Sequence, residues 1–146
     1  MQAIDQNVAQ SLGLVMKHLL RSTGREFFAR LEDAGISFTQ VRCLGVLSDA
    51  GEPLPLTALS EEIGLSLPAV SRAVDGLVKR AELKRAEDPA DRRSKLVSVT
   101  ARGRATYERL IAVRVAGVER FVDALEPGER EALAAAINPI AERLGR

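Results

Sequence analysis

The spacing of apolar residues along the chain predicts a protein built mainly from helices. Between residues 4 and 33, apolar side chains recur every three or four positions, which is the period of one face of an α-helix. A second helix is predicted over residues 38–47, with Ser37 or Thr39 as its N-cap and Gly51 closing it. The first third of the sequence is therefore expected to form a long helix followed by a short one.

The same period continues through the rest of the chain. Residues 53–55 are interpreted as a proline-rich loop, and a short helix is predicted from there to Ile63, where Gly64 ends it. A second long helix is predicted over residues 102–125, and the last helix begins near Pro127, a residue that a first helical turn tolerates. The apolar residues of that last helix are Leu133, Ile137, Ile140 and Leu144.

The stretch that begins at Ser66 predicts a helix with two different faces. The apolar stripe consists of Val70, Val74, Leu77 and Val78. Ser66 is a credible N-cap, and Pro68 costs little in the first turn. Away from the stripe, Ala69, Ser71 and Arg72 make the N-terminal end small and polar, which suits a helix that enters the DNA major groove. The alternative is an ordinary surface helix.

Two short runs after this helix predict a charged β-ribbon with a polar turn. The predicted strands are residues 83–87 and 95–99. Arg92 and Arg93 lie at the tip of the ribbon, which suits insertion into a narrow DNA minor groove, where negative potential is concentrated. Asp91 is placed to hold the Arg93 side chain in a fixed pose. The alternative is a solvated turn with an incidental ion pair.

Charge is concentrated in this part of the chain. The whole sequence carries a formal net charge of only +1. Residues 66–104 contain ten basic and five acidic side chains, which gives this segment a local net charge of +5. A basic segment in a near-neutral chain points to a polyanion as its partner.

The ribbon carries the most specific motif in the chain. Asp91 and Arg93 form a D-x-R pair, and Val99 and Thr100 follow as an aliphatic residue and a threonine. Thr100 is followed in turn by Gly103, as in a Thr-x-x-Gly helix start. This pattern resembles the wing signature of the MarR-type winged-helix transcriptional regulators.

The rest of the resemblance lies upstream and in the layout of the helices. Residues 59–64 and 70–77 look like the two helices of that family's helix-turn-helix, and the motifs together span about residues 36–104. The resemblance implies a mainly α fold with a small β-ribbon wing, in which a winged helix-turn-helix is flanked by long N- and C-terminal dimerisation helices. The expected division of the single 1–146 domain is a DNA-binding lobe at 36–100 and a helical dimerisation region at 1–35 and 101–146.

The function that the resemblance implies is sequence-specific DNA binding by a homodimer. The expected partner is double-stranded DNA with a pseudo-palindromic operator, and the expected role is repression that a small amphipathic or aromatic ligand releases. The residues expected at the DNA are Ser66, Pro68, Ala69, Ser71, Arg72, Arg92, Arg93 and Lys95, with Asp91 orienting Arg93. The residues expected around a ligand are Met16, Leu20, Phe27, Arg42 and Tyr107.

Three features depart from the family's pattern. Ala81 and Glu82 stand where the family usually has Gly-Leu, and alanine tolerates a left-handed C-cap poorly. Gly76 lies in mid-helix, which costs about 1 kcal/mol of helix propensity relative to alanine. Pro139 is expected to kink the last helix or to remove a hydrogen bond. These departures bear on affinity and on dimer geometry.

The helices at both ends favour a homodimer over a monomeric bundle. Their apolar faces are larger than the central lobe needs, and twofold pairing doubles the contacts that one helix-turn-helix makes with DNA. A dimeric interaction protein with a degenerate wing is the alternative to a DNA-binding regulator.

Composition argues against several other classes of protein. One histidine, His18, and one cysteine, Cys43, do not make a zinc site of the usual kind, and no motif suggests a catalytic triad or a phosphate loop. We therefore expect no enzyme, no metal and no cofactor. Cys43 is interpreted as a small buried hydrophobe, with a thiol-based redox sensor as the alternative. The lone cysteine and the lack of a membrane-length apolar run predict a cytoplasmic protein that does not contact membranes.

Overall fold

The computed structural model describes residues 2–91 and 93–145, with side chains from Gln6 onward. These residues form six α-helices and a three-stranded antiparallel sheet. In chain order the elements are α1 (Gln2–Ala34), α2 (Phe38–Ala50), β1 (Leu54–Pro55), α3 (Leu56–Ile63), α4 (Leu67–Lys79), β2 (Leu83–Glu87), β3 (Lys95–Val99), α5 (Ala101–Asp123) and α6 (Pro127–Leu144). The predicted mainly α architecture with a small β-wing is confirmed.

Local sequence signals set the ends of the short helices. The Ser37 side chain accepts a hydrogen bond from Gln40 N at 3.2 Å, and the Gln40 side chain accepts one from Ser37 N at 2.9 Å. This reciprocal capping box selects Ser37 as the cap of α2. Gly51 and Gly64 end α2 and α3 with φ angles of 68° and 71°, a left-handed conformation in which a side chain would be strained. Both glycine stops are confirmed.

The sheet has one strand more than the sequence predicted. Strands β2 and β3 have the predicted ends, and β3 lies between β1 and β2. The loop expected at residues 53–55 is wrong, because Leu54 pairs with Val97 and extends the sheet. A two-residue strand is too short to show an alternating pattern in sequence. Pro55 is tolerated there because β1 is an edge strand.

The part of the chain from Arg25 to Val113 forms a compact unit with an aliphatic core. Helix α4 buries its predicted stripe through Val70, Val74 and Leu77. The other buried residues of this cluster are Cys43, Leu44, Leu47, Leu59, Ile63, Ala73, Leu83 and Val97. A second cluster consists of Phe27, Leu31, Ile36, Val41, Leu110 and Val113. The unit extends beyond residues 36–100 because the end of α1 and the start of α5 contribute side chains to its core.

The turn between α4 and β2 keeps the left-handed conformation that glycine usually supplies, although alanine stands there. Ala81 has a φ of 58° and is the one non-glycine residue with positive φ in the described parts of the chain. Thr100 Oγ1 lies 2.8 Å from Ala81 O and 3.0 Å from Glu82 O, so its hydroxyl donates to this turn. Gly103 approaches Glu82 O so closely that a Cβ atom would overlap it. The Thr-x-x-Gly segment therefore packs against the turn that joins α4 to the wing.

The Glu82 side chain occupies a core position. It is only 1% exposed, and burying a carboxylate is costly unless it is paired. Thr106 Oγ1 donates to Glu82 Oε1 at 3.1 Å, and Arg80 Nε donates to Oε2 at 3.1 Å. Arg80 Nη2 also donates to Ala34 O at 2.9 Å. These hydrogen bonds join the ends of α1 and α4 to β2 and α5.

The second compact unit combines α1 up to Gly24 with α5 from Arg114 onward and with α6. The buried Thr23 packs its methyl group against Gly117, where a Cβ atom would overlap it, and Arg114 Nη1 donates to the Thr23 hydroxyl at 3.1 Å. Helix α6 continues through Pro139, which lacks the N–H that a helical hydrogen bond needs. No residue of α6 is buried.

Candidate nucleic-acid interface

Helices α3 and α4 form a helix-turn-helix whose second helix turns its apolar stripe into the core. This orientation leaves the N-terminal end of α4 open to solvent. Ser66, Pro68 and Arg72 are exposed, whereas Ala69 and Ser71 are half-buried. Ser66 is the N-cap residue in extended conformation, and its side chain makes no capping hydrogen bond to the helix. The predicted small, polar helix end is therefore accessible to a large partner.

A groove of about 460 Å³ lies between α4 and the wing. Ser71 from α4, Arg93 from the turn and Lys95 from β3 all line this groove. Arg85 from β2 adds a third cation, and Asp91 is the one acid in the lining. The structure thus brings three of the predicted DNA contacts onto one basic surface. The predicted residues that do not line the groove are Ser66, Pro68, Ala69 and Arg72.

Two aspartates shape the turn at the tip of the wing. Asp91 Oδ1 accepts a hydrogen bond from Arg93 N at 3.0 Å, and Asp88 Oδ1 accepts one from the backbone N–H two residues on at 2.8 Å, as in Asx-turns. The carboxylate of Asp91 therefore holds the backbone of Arg93, and this corrects the expectation that it holds the side chain. Arg93 is exposed. Arg92, also predicted at the DNA, lies outside the described residues.

An ion pair that the sequence analysis missed joins α4 to the wing. Arg85 Nη1 lies 2.6 Å from Asp75 Oδ1. In the sequence the two residues are opposite charges in different elements, so neither a helical nor a strand period relates them. The pairing of Arg85 with Val97 across the sheet turns the arginine toward α4. Only the packing of the strand against the helix reveals this contact.

Three of the residues predicted around a ligand lie on α1. Phe27 is 1% exposed and belongs to the core of the unit from Arg25 to Val113. Met16 and Leu20 are exposed on the part of α1 that belongs to the other unit. Phe27 is therefore a core residue of this unit, and its expected contact with a ligand stays a prediction.

The other two residues predicted around a ligand contact the helix-turn-helix or the helix beside it. Arg42 Nη2 donates a hydrogen bond to Ile63 O at the end of α3. Tyr107 packs its ring against Gly45 of α2 and touches both core clusters. Burial raises the pKa of Tyr107, and the negative charge of Asp49 adds to this effect.

Cys43 is fully buried in α2, as the sequence predicted. Burial raises the pKa of its thiol to about 11, although the positive charge of Arg42 acts in the opposite direction. Because the thiolate is the reactive form of cysteine, this buried thiol is a poor nucleophile at neutral pH. Its environment is that of a small hydrophobic residue.

The described residues show neither a metal site nor a helix that could span a membrane. No group of three or more His, Cys, Asp and Glu side chains among them is arranged to hold a metal ion. His18 is exposed on α1, with its ring centroid 6.0 Å from that of Phe121. None of the described helices combines the length and the apolar composition that crossing a membrane requires.

A helix-turn-helix, an antiparallel wing and a basic groove between them define a winged-helix protein. Comparison with known proteins gives the family. A family model described as the MarR family matches residues 34–94. A search of curated proteins found no significant match.

Solved structures extend the similarity over nearly the whole chain. RV1404 from Mycobacterium tuberculosis is 30% identical, with a TM-score of 0.74 over 96% of this chain and 94% of that one. A MarR-family transcriptional regulator from Silicibacter pomeroyi is 30% identical, with a TM-score of 0.62 over 86% and 84%. A mutant of MepR from S. aureus, bound to an oligodeoxyribonucleotide, shares the fold at 19% identity, with a TM-score of 0.67 over 91% and 97%. The chain belongs to the MarR family of transcriptional regulators.

Proposed function

We propose that this protein is a dimeric, sequence-specific DNA-binding regulator in the cytoplasm, without enzymatic activity. We further propose that it is a repressor that a small amphipathic or aromatic ligand releases from DNA. The observation that carries DNA binding is the groove in which Ser71 of α4 meets Arg93 and Lys95 of the wing. The MepR structure supports the same partner, because that relative holds an oligodeoxyribonucleotide on the same fold.

The two sides of the groove have different chemical roles in this proposal. The exposed N-terminal end of α4 has small side chains, so the helix fits the major groove, where Ser71 and Arg72 reach base edges or phosphates. The exposed Arg93 lies on a turn that Asp91 holds through the backbone, and an arginine on such a tip suits the minor groove. Helix α4 then supplies sequence preference, and the wing supplies affinity for any duplex.

The apolar surface of the terminal helices supports the homodimer. Helix α6 has no buried residue, and its Ile137, Ile140 and Leu144 are all exposed. The exposed large apolar residues of α1 and α5 are Val8, Leu12, Leu14, Val15, Met16, Leu20, Phe28, Val115 and Val118. An apolar surface of this extent is the mark of an interface. A second copy of the chain, paired about a twofold axis, matches a pseudo-palindromic operator.

The contacts of Arg42 and Tyr107 support control by a ligand. Arg42 is hydrogen-bonded to the last residue of α3, and Tyr107 packs on α2. A ligand that displaces either side chain would break a contact with α3 or with α2, and would thereby shift the helix-turn-helix. If the ligand binds this displaced state more tightly, it lowers the affinity of the protein for DNA, because the two binding equilibria are linked.

DNA binding is tested by fluorescence anisotropy at several salt concentrations. The operator is selected from random duplexes, and a scrambled duplex serves as the non-specific ligand. Arg93→Ala should weaken both duplexes by a similar factor and reduce the log–log salt slope by about one. Ser71→Ala or Arg72→Ala should cost roughly 1–3 kcal/mol on the operator and much less on scrambled DNA.

Lys17→Ala is the matched control, because Lys17 is an exposed cation on α1 that does not line the groove. It should leave the affinity and the salt slope unchanged. Unchanged binding after Arg93→Ala would contradict the wing's role, and equal losses on both duplexes after Ser71→Ala and Arg72→Ala would contradict reading by α4. A wild-type protein that binds no DNA at low salt would instead favour a dimeric interaction protein with a degenerate wing.

A further inference from the structure

A carboxylate lies beside the basic groove, where its charge opposes DNA binding. Asp75 follows Ser71 by four residues and Arg72 by three on α4, so all three share one side of the helix. The Asp75 and Arg85 side chains pair at 2.6 Å and remain 47% and 30% exposed. An unpaired carboxylate at this position would repel DNA phosphates. The effect of Asp75 on DNA binding therefore depends on its pairing with Arg85.

Alternation along β2 places Arg85 on the side of the sheet that faces α4. Arg85 pairs with the buried Val97, and both line the basic groove. The preceding residue, Lys84, pairs with Ser98, and both line a different groove on the opposite face. Arg85 and Lys84 thus carry the same charge on the same strand but point to opposite sides.

Arg85 keeps hydrogen-bond donors for a further partner. A guanidinium has five N–H donors, and the contact with Asp75 is the one ionic or hydrogen-bonded contact of this side chain that the described residues provide. A guanidinium that a carboxylate already holds keeps a fixed direction. It therefore loses less side-chain entropy when it binds a phosphate than a freely rotating arginine does.

We propose that Arg85 is a further phosphate contact of the DNA interface and that Asp75 is a positioning residue that acts through Arg85. This inference rests on the proposed DNA-binding function and adds two residues to it. Asp75 then strengthens DNA binding although its own charge opposes it. Electrostatics alone predicts the opposite sign, because removing an acid from a basic surface should tighten binding to every duplex.

The test compares Asp75→Ala, Arg85→Ala and the double variant, with Lys84→Ala as the matched control. Anisotropy titrations use the selected operator and the scrambled duplex at several salt concentrations. Thermal unfolding shows that each variant is folded. Alanine is the strongest helix former, so Asp75→Ala preserves α4.

Arg85→Ala should weaken both duplexes by about tenfold and reduce the salt slope by about one. Asp75→Ala should also weaken both duplexes, by about threefold or more, because Arg85 loses its fixed direction. In the Arg85→Ala background, Asp75→Ala should no longer weaken binding and should tighten it slightly, since only repulsion is then removed. Lys84→Ala should have less than about half of the effect of Arg85→Ala on the logarithm of affinity.

Three results would overturn the inference. Asp75→Ala could bind DNA as tightly as the wild type or more tightly, which leaves electrostatics as the sole effect. It could weaken only the operator, and equally with or without Arg85, which indicates a carboxylate that reads a cytosine amino group. Lys84→Ala could weaken DNA binding as much as Arg85→Ala does, which would show that the position of Arg85 on the sheet has no specific effect.

The inference and the proposed function fail in different ways. If Arg93→Ala weakens binding but Asp75→Ala does not, the inference fails and DNA binding stands. If the wild-type protein binds neither duplex at low salt, both fail.

Discussion

Ala81 has a backbone conformation that suits glycine. Its φ of 58° lies in the left-handed region, which costs an L-residue roughly 1–2 kcal/mol. Ala81→Gly should therefore raise the free energy of unfolding by about 1 kcal/mol, after allowing for the greater flexibility of glycine in the unfolded chain. Urea denaturation at constant protein concentration measures the change.

The same replacement in a helix should have the opposite sign. Ala58 lies in α3, and Ala58→Gly should lower the free energy of unfolding by about 1 kcal/mol. A loss of stability in Ala81→Gly would show that the strain at this turn is smaller than the φ angle indicates.

At the scale of elements, Gln40 connects the start of α2 to the middle of α4. Its Nε2 donates to Ala73 O at 3.4 Å, and a Cβ atom on Gly76 would lie 2.6 Å from that nitrogen. Gly76 therefore makes room for a side chain that also caps α2 through Ser37. The glycine that departs from the family's pattern has a packing role.

Gly76→Ala should stabilise the protein by less than the usual gain of about 1 kcal/mol for such a change in a helix, because Gln40 must move. In a Gln40→Ala background, the same substitution should recover most of that gain. Gly24→Ala in α1 is the control, since a Cβ atom there meets nothing within 4 Å. Urea denaturation of the double-mutant cycle gives the coupling energy, and a value near zero would remove the proposed contact.

At the scale of the whole molecule, the proposed homodimer depends on apolar surface at both ends of the chain. Ile137 and Ile140 of α6 are 42% and 46% exposed. Most of the stability of a helix in a protein comes from packing its apolar face, so we expect a helix with no buried residue to need a partner surface. We expect sedimentation at micromolar concentration to give twice the mass of the 15.8 kDa chain.

Ile137→Glu combined with Ile140→Glu should convert the proposed dimer to a monomer, because burying two carboxylates in an apolar interface is costly. Leu65→Glu is the control: Leu65 is also an exposed apolar residue, but it lies in the turn between α3 and α4. It should leave the mass unchanged. A wild-type protein that sediments as a single chain, or a double variant that stays dimeric, would contradict this assembly.

The sequence by itself determined the features that depend on neighbours along the chain. The helical period located α1 to α6, and the Gly51 and Gly64 stops followed from local backbone preferences. The same preferences limited the cap of α2 to Ser37 or Thr39, and the structure shows Ser37. The ends of β2 and β3 were predictable for the same reason.

Only the tertiary structure decided the features that depend on residues distant in sequence. Leu54 becomes a strand because β3 offers it a hydrogen-bonding edge, and Glu82 is tolerated in the core because Arg80 and Thr106 bond it there. The Asp75–Arg85 pair exists because a strand packs against a helix. Asp91 lies beside Arg93 as predicted, but its carboxylate accepts a hydrogen bond from the backbone N–H of Arg93. A short side chain two residues away reaches that N–H more readily than it reaches the guanidinium.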